Sequence, residues 1–301
     1  MTSANSLKGK GAIVTGGGSG INLAFVKGIH ALGCSVLIGD IALHKDAQAW
    51  LATLPSASRS QIVFQHTDVT KWTQLESLFE IYSQSQNLPS TVPDIVVAGA
   101  GIYEASSAGF WDDRDQDGHY KLLDINMIHP LKLTRIAIRR MQQAKKPGVI
   151  LHESSIVAQK PSAVLPLYAV SKAGLSHFVR SMGPIEALSG IKVVAVAPGI
   201  VDTPLFRDSS KALNHIGKED FMLPPEEVVK AMIALSTDKK WRGGTVLEVN
   251  DIDGWREVSL LNDPGPQGQS KKARKKAMDA ITEVVHALDD DAKGVKRGSK
   301  L

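Results

Sequence analysis

Tyr168 and Lys172 are the residues of this sequence whose types and spacing best suit acid–base chemistry. They stand four positions apart in Tyr168-Ala169-Val170-Ser171-Lys172, which brings both side chains to one face of a helix. A phenol with a pKa of about 10 is a weak base at neutral pH, and a neighbouring ammonium favours its ionised form. The pair predicts a tyrosine general acid/base, although chance alone also produces this spacing.

Hydroxyl and amide side chains precede this pair. Ser154 and Ser155 follow the apolar run Val149–Leu151, and a hydroxyl at the end of a strand can hydrogen-bond a substrate carbonyl or alcohol. Asn126 lies farther upstream, within a stretch that has the periodicity of a helix. These side chains extend the candidate site for alcohol or carbonyl chemistry.

A glycine-rich loop near the start of the chain predicts a nucleotide site. The apolar run Gly11–Val14 leads into Thr15-Gly16-Gly17-Gly18-Ser19-Gly20-Ile21-Asn22, where a helical pattern begins. Glycines allow a pyrophosphate to approach backbone N–H groups closely, and the helix N-terminus adds its positive dipole. A flexible turn is the alternative. The strand and helix on either side favour the nucleotide site, with candidate contacts at Thr15, Gly16, Ser19, Gly20 and Ile21.

Asp40 indicates which nucleotide the loop binds. It ends the second apolar run, about 20 residues beyond the loop, where an acid can bind the adenosine ribose hydroxyls. Because a carboxylate repels a 2′-phosphate, NAD is favoured over NADP, despite the nearby His44 and Lys45. Asp68 and Val69, after the third apolar run, are candidates for adenine contacts. For both aspartates, capping of the next helix is the alternative.

Residues 10–250 alternate between short apolar runs and longer stretches of helical periodicity. Continuous runs are typical of parallel strands covered on both faces. The sequence therefore predicts an α/β fold with a doubly wound parallel sheet. The expected strands are Gly11–Val14, Ser35–Ile38, Ile62–Phe64, Asp94–Ala98, Val149–Leu151, Ile191–Ala197 and Thr245–Val249. The expected helices include Ile21–Leu32, Gln74–Tyr82, Tyr120–Met141 and Tyr168–Leu188.

The composition excludes several classes of protein. Of 301 residues, 43% are hydrophobic and one, Cys34, is a cysteine, which argues against a disordered chain and a disulfide scaffold. No apolar run approaches the ~20 residues of a membrane span, and the first residues lack a secretory signal. The net charge of +4 resides in residues 270–301, which hold nine Lys and Arg against five Asp and Glu. Residues 1–269 carry 26 of each sign, so we expect no nucleic-acid partner.

A turn-rich segment around residues 262–268 divides the chain into a domain over residues 1–262 and an extension over 263–301. A weak amphipathic helix from Ala273 to Leu288 either docks on the body or a partner subunit or stays solvated. Residues 289–301 are expected to be disordered. Ser299-Lys300-Leu301 reads as a peroxisomal address for an import receptor; if the tripeptide is accidental, a cytoplasmic location is expected.

The acidic stretch Asp113-x-Asp115-x-Asp117-Gly118, with Asp124 in the twelfth position, imitates a calcium-binding loop. Its last residue is Asp rather than the usual Glu, and its second half already belongs to the helix expected to carry Asn126. We therefore expect no metal site.

Together these motifs resemble the short-chain dehydrogenase/reductase family over residues 8–250. The matching features are the Thr-Gly-x-x-x-Gly loop at 15–20, Asn126, Ser155, Tyr168-x-x-x-Lys172 and Ala197-Pro198-Gly199. The resemblance implies a Rossmann fold and an NAD(P) cofactor. Two departures stand out: Asn22 replaces the third glycine of the loop, and Ala98-Gly99-Ala100-Gly101 replaces Asn-Asn-Ala-Gly after the fourth strand.

The resemblance also implies the roles of the site residues. Tyr168 would be the general acid/base, and Lys172 would hold the nicotinamide ribose and lower the tyrosine pKa. Ser155, rather than Ser154, would position the substrate oxygen, and Asn126 would support a water-linked proton relay. The remaining implied cofactor contacts are Gly99, Pro198, Gly199 and Thr203.

The expected activity is NAD-dependent interconversion of a secondary alcohol and a ketone on an apolar, lipid-like or polycyclic substrate. Within the family the chain looks similar to the NAD-dependent 15-hydroxyprostaglandin dehydrogenase-like group. The alternatives are an NADPH-dependent ketoreductase, a peroxisomal 3-hydroxyacyl-CoA dehydrogenase or, more remotely, a non-catalytic nucleotide sensor. The family implies a homodimer or homotetramer. Candidate substrate contacts are Ile102, Tyr103, Ile156, Val157, Leu165, Leu167, Leu205, Phe206, Phe221, Met222 and Leu223.

Overall fold

The computed structural model describes residues 7–104, 109–113, 118–213, 221–259 and 281–295. These residues form one sheet of eight strands with helices packed on both faces, which confirms the predicted doubly wound architecture. The strands are β1 (Gly11–Thr15), β2 (Ser35–Asp40), β3 (Ile62–His66), β4 (Ile95–Ala98), β5 (Gly148–Glu153), β6 (Ile191–Pro198), β7 (Val246–Asp251) and β8 (Gly254–Glu257).

The order of the strands in the sheet is β3-β2-β1-β4-β5-β6-β7-β8. The first seven pair in parallel, and β8 runs antiparallel to β7. The order reverses at β1, which lies between β2 and β4. Parallel sheets bind ligands outside the carboxyl ends of their strands at such a reversal.

The helices between the strands are α1 (Gly20–Ala31), α2 (Lys45–Thr53), α3 (Ser56–Arg59), α4 (Trp72–Gln84), α5 (Lys121–Leu123), α6 (His129–Gln143), α7 (Pro166–Ser181), α8 (Ile185–Ser189), α9 (Pro204–Arg207), α10 (Ser210–Leu213) and α11 (Pro225–Thr237). Helix α12 (Ile281–Ala292) follows the last strand. Short 3₁₀ turns cover Phe110–Asp112 and Ile156–Gln159. Within the described residues, no helix is both long enough and apolar enough to span a membrane.

The continuous apolar runs form strands because both faces of the sheet are buried. On one face, Phe25 of α1 and Met232 of α11 pack in a cluster with Val14 of β1. On the other, Leu75 of α4 and Leu133 of α6 pack with Ile13 of the same strand. Alternate residues of β1 therefore serve two separate cores, and the strand shows no alternation of polar and apolar positions.

Two predicted helices differ from the observed ones. The expected helix Tyr168–Leu188 is two helices, α7 and α8, because Pro184 lacks the N–H that a continuous helix needs there. The expected helix Tyr120–Met141 is continuous over 121–143, but Asp124–Ile128 forms a π turn between α5 and α6.

The end of the chain holds more regular structure than the sequence indicated. Strand β8 was not predicted, and α12 extends through residues 289–292, which were expected to be disordered. Helix α12 docks on α6, where Leu288 is buried and Arg135 holds Asp291 through two hydrogen bonds of 2.5 and 2.8 Å. The linker at 262–268 and the terminal tripeptide Ser299-Lys300-Leu301 lie outside the described residues, so the domain boundary stays a prediction.

Candidate active site

A cavity of about 570 Å³ opens at the carboxyl ends of the strands, around the reversal of strand order. Its size is typical of sites for small molecules and cofactors. All the site residues expected from the sequence line it, except Thr15 and Asn126. The predicted site residues that line the cavity are Gly16, Ser19, Gly20, Ile21, Asp40, Asp68, Val69, Gly99, Ser155, Tyr168, Lys172, Pro198, Gly199 and Thr203.

The glycine loop joins β1 to α1 along one wall of this cavity. The Gly18 N–H donates to Asp40 Oδ2 at 2.8 Å, which fixes the loop to the end of β2. A Cβ at Gly18 would overlap the Ala42 carbonyl oxygen and lie 2.8 Å from the Asp40 carboxylate. Gly16, with φ of +71°, passes so close to Ala100 that a Cβ would lie 2.7 Å from its Cα. The loop therefore has room for backbone only, as close approach of a pyrophosphate requires.

The two aspartates of the nucleotide half do not cap the helices that follow them. The cap position of α2 is His44, and the residue before α4 is Lys71. Burial raises the pKa of Asp40, whereas the hydrogen bond from Gly18 favours its ionised form. Asp68 instead accepts hydrogen bonds from the Thr70 hydroxyl and N–H at 2.7 and 3.0 Å, and the hydroxyl lowers its pKa. Both carboxylates face the cavity.

Thr15 does not line the cavity, and its assignment as a cofactor contact stays a prediction. Its hydroxyl is fully buried between strands, where it donates to the Val97 carbonyl at 3.0 Å and accepts from the Gly99 N–H at 3.1 Å. The His129 ring lies 3.1 Å from the same hydroxyl. Thr15 therefore braces β1 against β4 and the segment after it.

Asn126 also lies outside the cavity lining, one layer behind it. The π turn directs its buried side chain at the backbone of Ile102, donating to the carbonyl at 2.8 Å and accepting from the N–H at 2.9 Å. A Cβ on Gly101 would lie 3.5 Å from Asn126 Oδ1 and 3.9 Å from Lys172 Nζ. The asparagine thus holds the segment after β4 beside Lys172.

The two serines after β5 take different directions. Ser154 turns toward α7, where its hydroxyl donates to the Lys172 carbonyl at 3.1 Å and lies 2.6 Å from the Ser176 hydroxyl. Ser155 begins the next 3₁₀ turn by accepting from the Val157 N–H, and it hydrogen-bonds Tyr168. Ser155 and Tyr168 can therefore meet a single substrate oxygen, as an alcohol or carbonyl site requires.

Helix α7 places Tyr168 and Lys172 on one face, as their spacing indicates. The Lys172 ammonium lies 5.4 Å from the centre of the Tyr168 ring and donates to the Glu153 carbonyl at 2.8 Å. Burial raises the pKa of Tyr168, the hydrogen bond with Ser155 lowers it, and Tyr103 and Glu153 raise it further. Burial of the phenol is the largest of these effects, and the lowering of this pKa by Lys172 stays a prediction.

The contacts of Asn22 and Glu153 in the site were not predicted from the sequence. The Asn22 amide donates to the Gly99 carbonyl at 2.9 Å, and a Cβ on Gly99 would overlap it. The two departures from the family pattern are thus complementary: the asparagine occupies space that the glycine leaves. Glu153, the last residue of β5, lines the cavity beside Lys172. A charged residue at the end of an apolar strand was the signal that could have identified it.

Aromatic side chains form one wall of the cavity. Tyr103 lies between Tyr168 and Phe206, with ring centres 5.3 Å from each. Of the candidate substrate contacts, those that line the cavity are Ile102, Tyr103, Ile156, Val157, Leu205 and Phe206. Leu165 packs behind this wall against Tyr103. The other four candidates, Leu167, Phe221, Met222 and Leu223, lie outside the lining, and Leu223 is buried beside Val201.

Two carboxylates of the acidic stretch that imitates a calcium loop lie within the described residues. Asp113 accepts from the Tyr120 hydroxyl at 2.7 Å, and Asp124 pairs with His119 at 2.7 Å. Asp115 and Asp117 lie outside the described residues. In the part of the chain that the structure covers, no three His, Cys, Asp or Glu side chains form a metal site.

A family model described as short chain dehydrogenase matches residues 10–214. The cis-4-hydroxycyclohexanecarboxylate dehydrogenase of Sinomonas cyclohexanicum is 32% identical over 234 residues, covering 75% of this chain and 89% of that protein. A 3-oxoacyl-(acyl-carrier-protein) reductase of Rickettsia prowazekii is 32% identical over 253 residues, covering 81% and 96%. The 15-hydroxyprostaglandin dehydrogenase (NAD(+)) of Bos taurus is 28% identical over 229 residues, covering 74% and 80%.

Proposed function

Because the chain belongs to the short-chain dehydrogenase family, whose members are oxidoreductases of CH–OH groups, we propose that it interconverts an apolar secondary alcohol and its ketone with NAD. The observation that carries the proposal is the convergence of Ser155, Tyr168 and Lys172 on the cavity that the glycine loop borders. NAD, when bound, accepts the hydride from the alcohol carbon. The residues present fit NAD, because the glycine loop leaves room for the pyrophosphate and Asp40 can bind the adenosine ribose hydroxyls.

Asp40 supports NAD rather than NADP as the cofactor. Its carboxylate lies at the end of β2 and is anchored by the Gly18 N–H, so it cannot easily move away from a 2′-phosphate. Lys45 does not line the cavity. His44 does, but its ring lies between Asp46 and Asp208, at 3.3 and 3.4 Å. Negative charge therefore dominates this end of the cavity, which favours ribose hydroxyls over a phosphate.

The side chains act on the proton and the charge at the substrate oxygen. Tyr168 donates its proton to the carbonyl oxygen in reduction and, as the phenolate, takes the hydroxyl proton in oxidation. Its raised pKa favours the acid form at neutral pH, which serves reduction, so oxidation needs the phenolate that forms at higher pH. Ser155 donates a hydrogen bond to the oxygen as negative charge develops there. Lys172 holds the nicotinamide ribose, and Asn126 positions the segment after β4.

The aromatic wall favours a substrate that carries a ring or a broad apolar group beside the reacting carbon. Tyr103 and Phe206 provide flat apolar surface within reach of Tyr168. Two of the relatives are named for hydroxyl groups on a cyclohexane ring and on a prostaglandin, which supports the same substrate class. We therefore propose an alicyclic, polycyclic or lipid-like secondary alcohol.

Turnover is tested by the change in nicotinamide absorbance with NAD or NADP and a panel of cyclic and long-chain secondary alcohols and ketones. We expect activity with NAD, and a loss of at least about 100-fold in kcat for Tyr168→Phe, because the phenyl ring cannot transfer the proton. Tyr120→Phe, at a partly buried tyrosine outside the cavity lining, is the matched control. Equal activity of Tyr168→Phe and the wild type would refute the assignment, and turnover with NADP alone would refute the choice of cofactor.

We further propose a homo-oligomer and a peroxisomal location. Ile128 and Val170 are large apolar side chains exposed on the helices that bear Asn126 and Tyr168, which supports contact between subunits there. Light scattering that gives the mass of a single chain would exclude the oligomer. The location rests on Ser299-Lys300-Leu301, and a fluorescent fusion that stays diffuse in cells with peroxisomes would exclude it.

A further inference from the structure

Glu153 is an acidic side chain at the catalytic end of the cavity that the mechanism above does not use. Its carbonyl oxygen accepts from Lys172 Nζ at 2.8 Å, so both residues lie at the same point of the site. Its carboxyl oxygen Oε1 is buried and has no hydrogen-bond partner. A buried carboxyl group without a partner costs stability, and burial raises its pKa, so its position beside Lys172 marks it as a candidate for a role in the site.

The charged and polar groups that act on Glu153 come from two helices, α7 and α1. Lys172 and Tyr168 face it from α7, and the Asn22 amide faces it from α1. Burial lowers the pKa of His129 to about 4 and that of His152 to about 3, so neither ring carries a charge near neutral pH. Lys172 is therefore the cation that acts on Glu153 in this part of the structure, and Glu153 is the anion that acts on Lys172.

We propose that Glu153 is a positioning residue whose negative charge keeps Lys172 in its ammonium form and thereby sets the pH range in which Tyr168 and Lys172 work. This inference rests on the proposed function. Burial alone lowers the pKa of Lys172, and Glu153 opposes that change. The same carboxylate raises the pKa of Tyr168, since a nearby negative charge disfavours a phenolate.

Asn22 and Gly99 accommodate this carboxyl group. The Asn22 side chain interacts with the Glu153 carboxyl and lowers its pKa, against the rise that burial causes. Gly99 leaves the space in which that asparagine lies. A glycine at position 22 would remove the amide. Lys172 would then be the remaining group, of those named here, that lowers the pKa of the Glu153 carboxyl group. The three residues thus form one arrangement that supports a charge next to Lys172.

The test is the pH dependence of kcat/KM for wild type and Glu153→Gln, which keeps the shape of the side chain and removes its charge. Because loss of a negative charge lowers the pKa of both neighbours, both limbs of the profile should move to lower pH, by about one unit or more. Glu153→Asp should restore the limbs toward the wild-type positions. Glu227→Gln, at a buried carboxylate of α11 far from the cavity, is the control and should leave the profile unchanged.

A uniform loss of activity in Glu153→Gln with unmoved limbs would overturn the inference, because it indicates a purely structural role. A second readout needs no turnover: the rate at which acetic anhydride modifies Lys172, followed by mass spectrometry against pH. Its midpoint should also move to lower pH in Glu153→Gln, and an unmoved midpoint would overturn the inference. Absence of turnover in the wild type would refute the proposed function alone, since the Lys172 midpoint still reports on Glu153.

Discussion

The Lys172 ammonium makes two contacts in the site. It donates to a backbone carbonyl at 2.8 Å, which fixes the position of its nitrogen, and it faces the Tyr168 ring at 5.4 Å from the ring centre. Burial of both side chains opposes charge on either of them. The charge states of Tyr168 and Lys172 therefore depend on their surroundings and not on the two residues alone. The pKa values of the two groups must be considered together.

At the other end of the cavity, Asp40 provides a test of cofactor choice. Asp40→Ser should decrease the ratio of kcat/KM for NAD to that for NADP by about 10- to 100-fold, because repulsion between a carboxylate and a phosphate is worth a few kcal/mol. Steady-state kinetics with both cofactors measures this ratio. Asp289→Ser, at an exposed aspartate of α12 outside the cavity lining, should leave it unchanged; an unchanged ratio in Asp40→Ser would contradict the role given to Asp40.

Among the elements, the π turn between α5 and α6 has the most direct effect on the site. A π turn contains one more residue than an α turn, so it rotates the side chains that follow. Here it turns Asn126 onto the backbone of Ile102, while Leu133 farther along remains in the core. The segment after β4 is thereby attached to the turn before α6 as well as to β1, through the Gly99 N–H and the Thr15 hydroxyl.

The junction of α1 with β4 can be tested by a double-mutant cycle. Gly99→Asn should lower the free energy of unfolding by about 1–3 kcal/mol, because its Cβ would overlap the Asn22 amide. Adding Asn22→Gly should recover most of this loss, since the two sites share one space. Chemical denaturation measures the four unfolding energies. Gly101→Ala, where a Cβ meets only ordinary contacts, is the control, and additive effects of the two changes would contradict the pairing.

At the scale of the whole molecule, α12 connects the C-terminal extension to the body of the protein. This helix follows the last strand yet packs on α6, and the pair between Arg135 and Asp291 joins residues 156 positions apart. Docking on the body was one of the alternatives that the amphipathic pattern left open. Helix α6 consequently has the sheet on one side and part of the C-terminal extension on another.

Removal of the buried contact of α12 should destabilise this attachment. Leu288→Ala is expected to lower the free energy of unfolding by about 2 kcal/mol, because a buried leucine loses its apolar contacts. Val285→Ala, at an exposed position of the same helix, should cost much less. Urea denaturation followed by circular dichroism compares the two. Equal effects of the two substitutions would show that α12 contributes no packing.

Local patterns predicted those features that depend on short stretches of sequence. The seven parallel strands were found because they are short apolar runs, several of them continuous, and Tyr168 and Lys172 share a helix face because they are four residues apart. The position of Thr15 could not be predicted, since its direction depends on pairing with β4, about 80 residues later. The roles of Asn22 and Glu153 depend on contacts between distant elements, and the π turn leaves no simple mark in the sequence.

Strand β8 also affects how the protein behaves when many copies are crowded together. If the sheet ended at β7, this apolar strand would be its edge, and a strand of another protein molecule could form backbone hydrogen bonds with it. Instead the last strand is four residues long and exposed, and Arg256 forms an ion pair with Glu248 on β7. Short, charged strands are poor templates for intermolecular pairing. The final hairpin thus stops growth of the sheet at this edge and protects the protein from aggregation there.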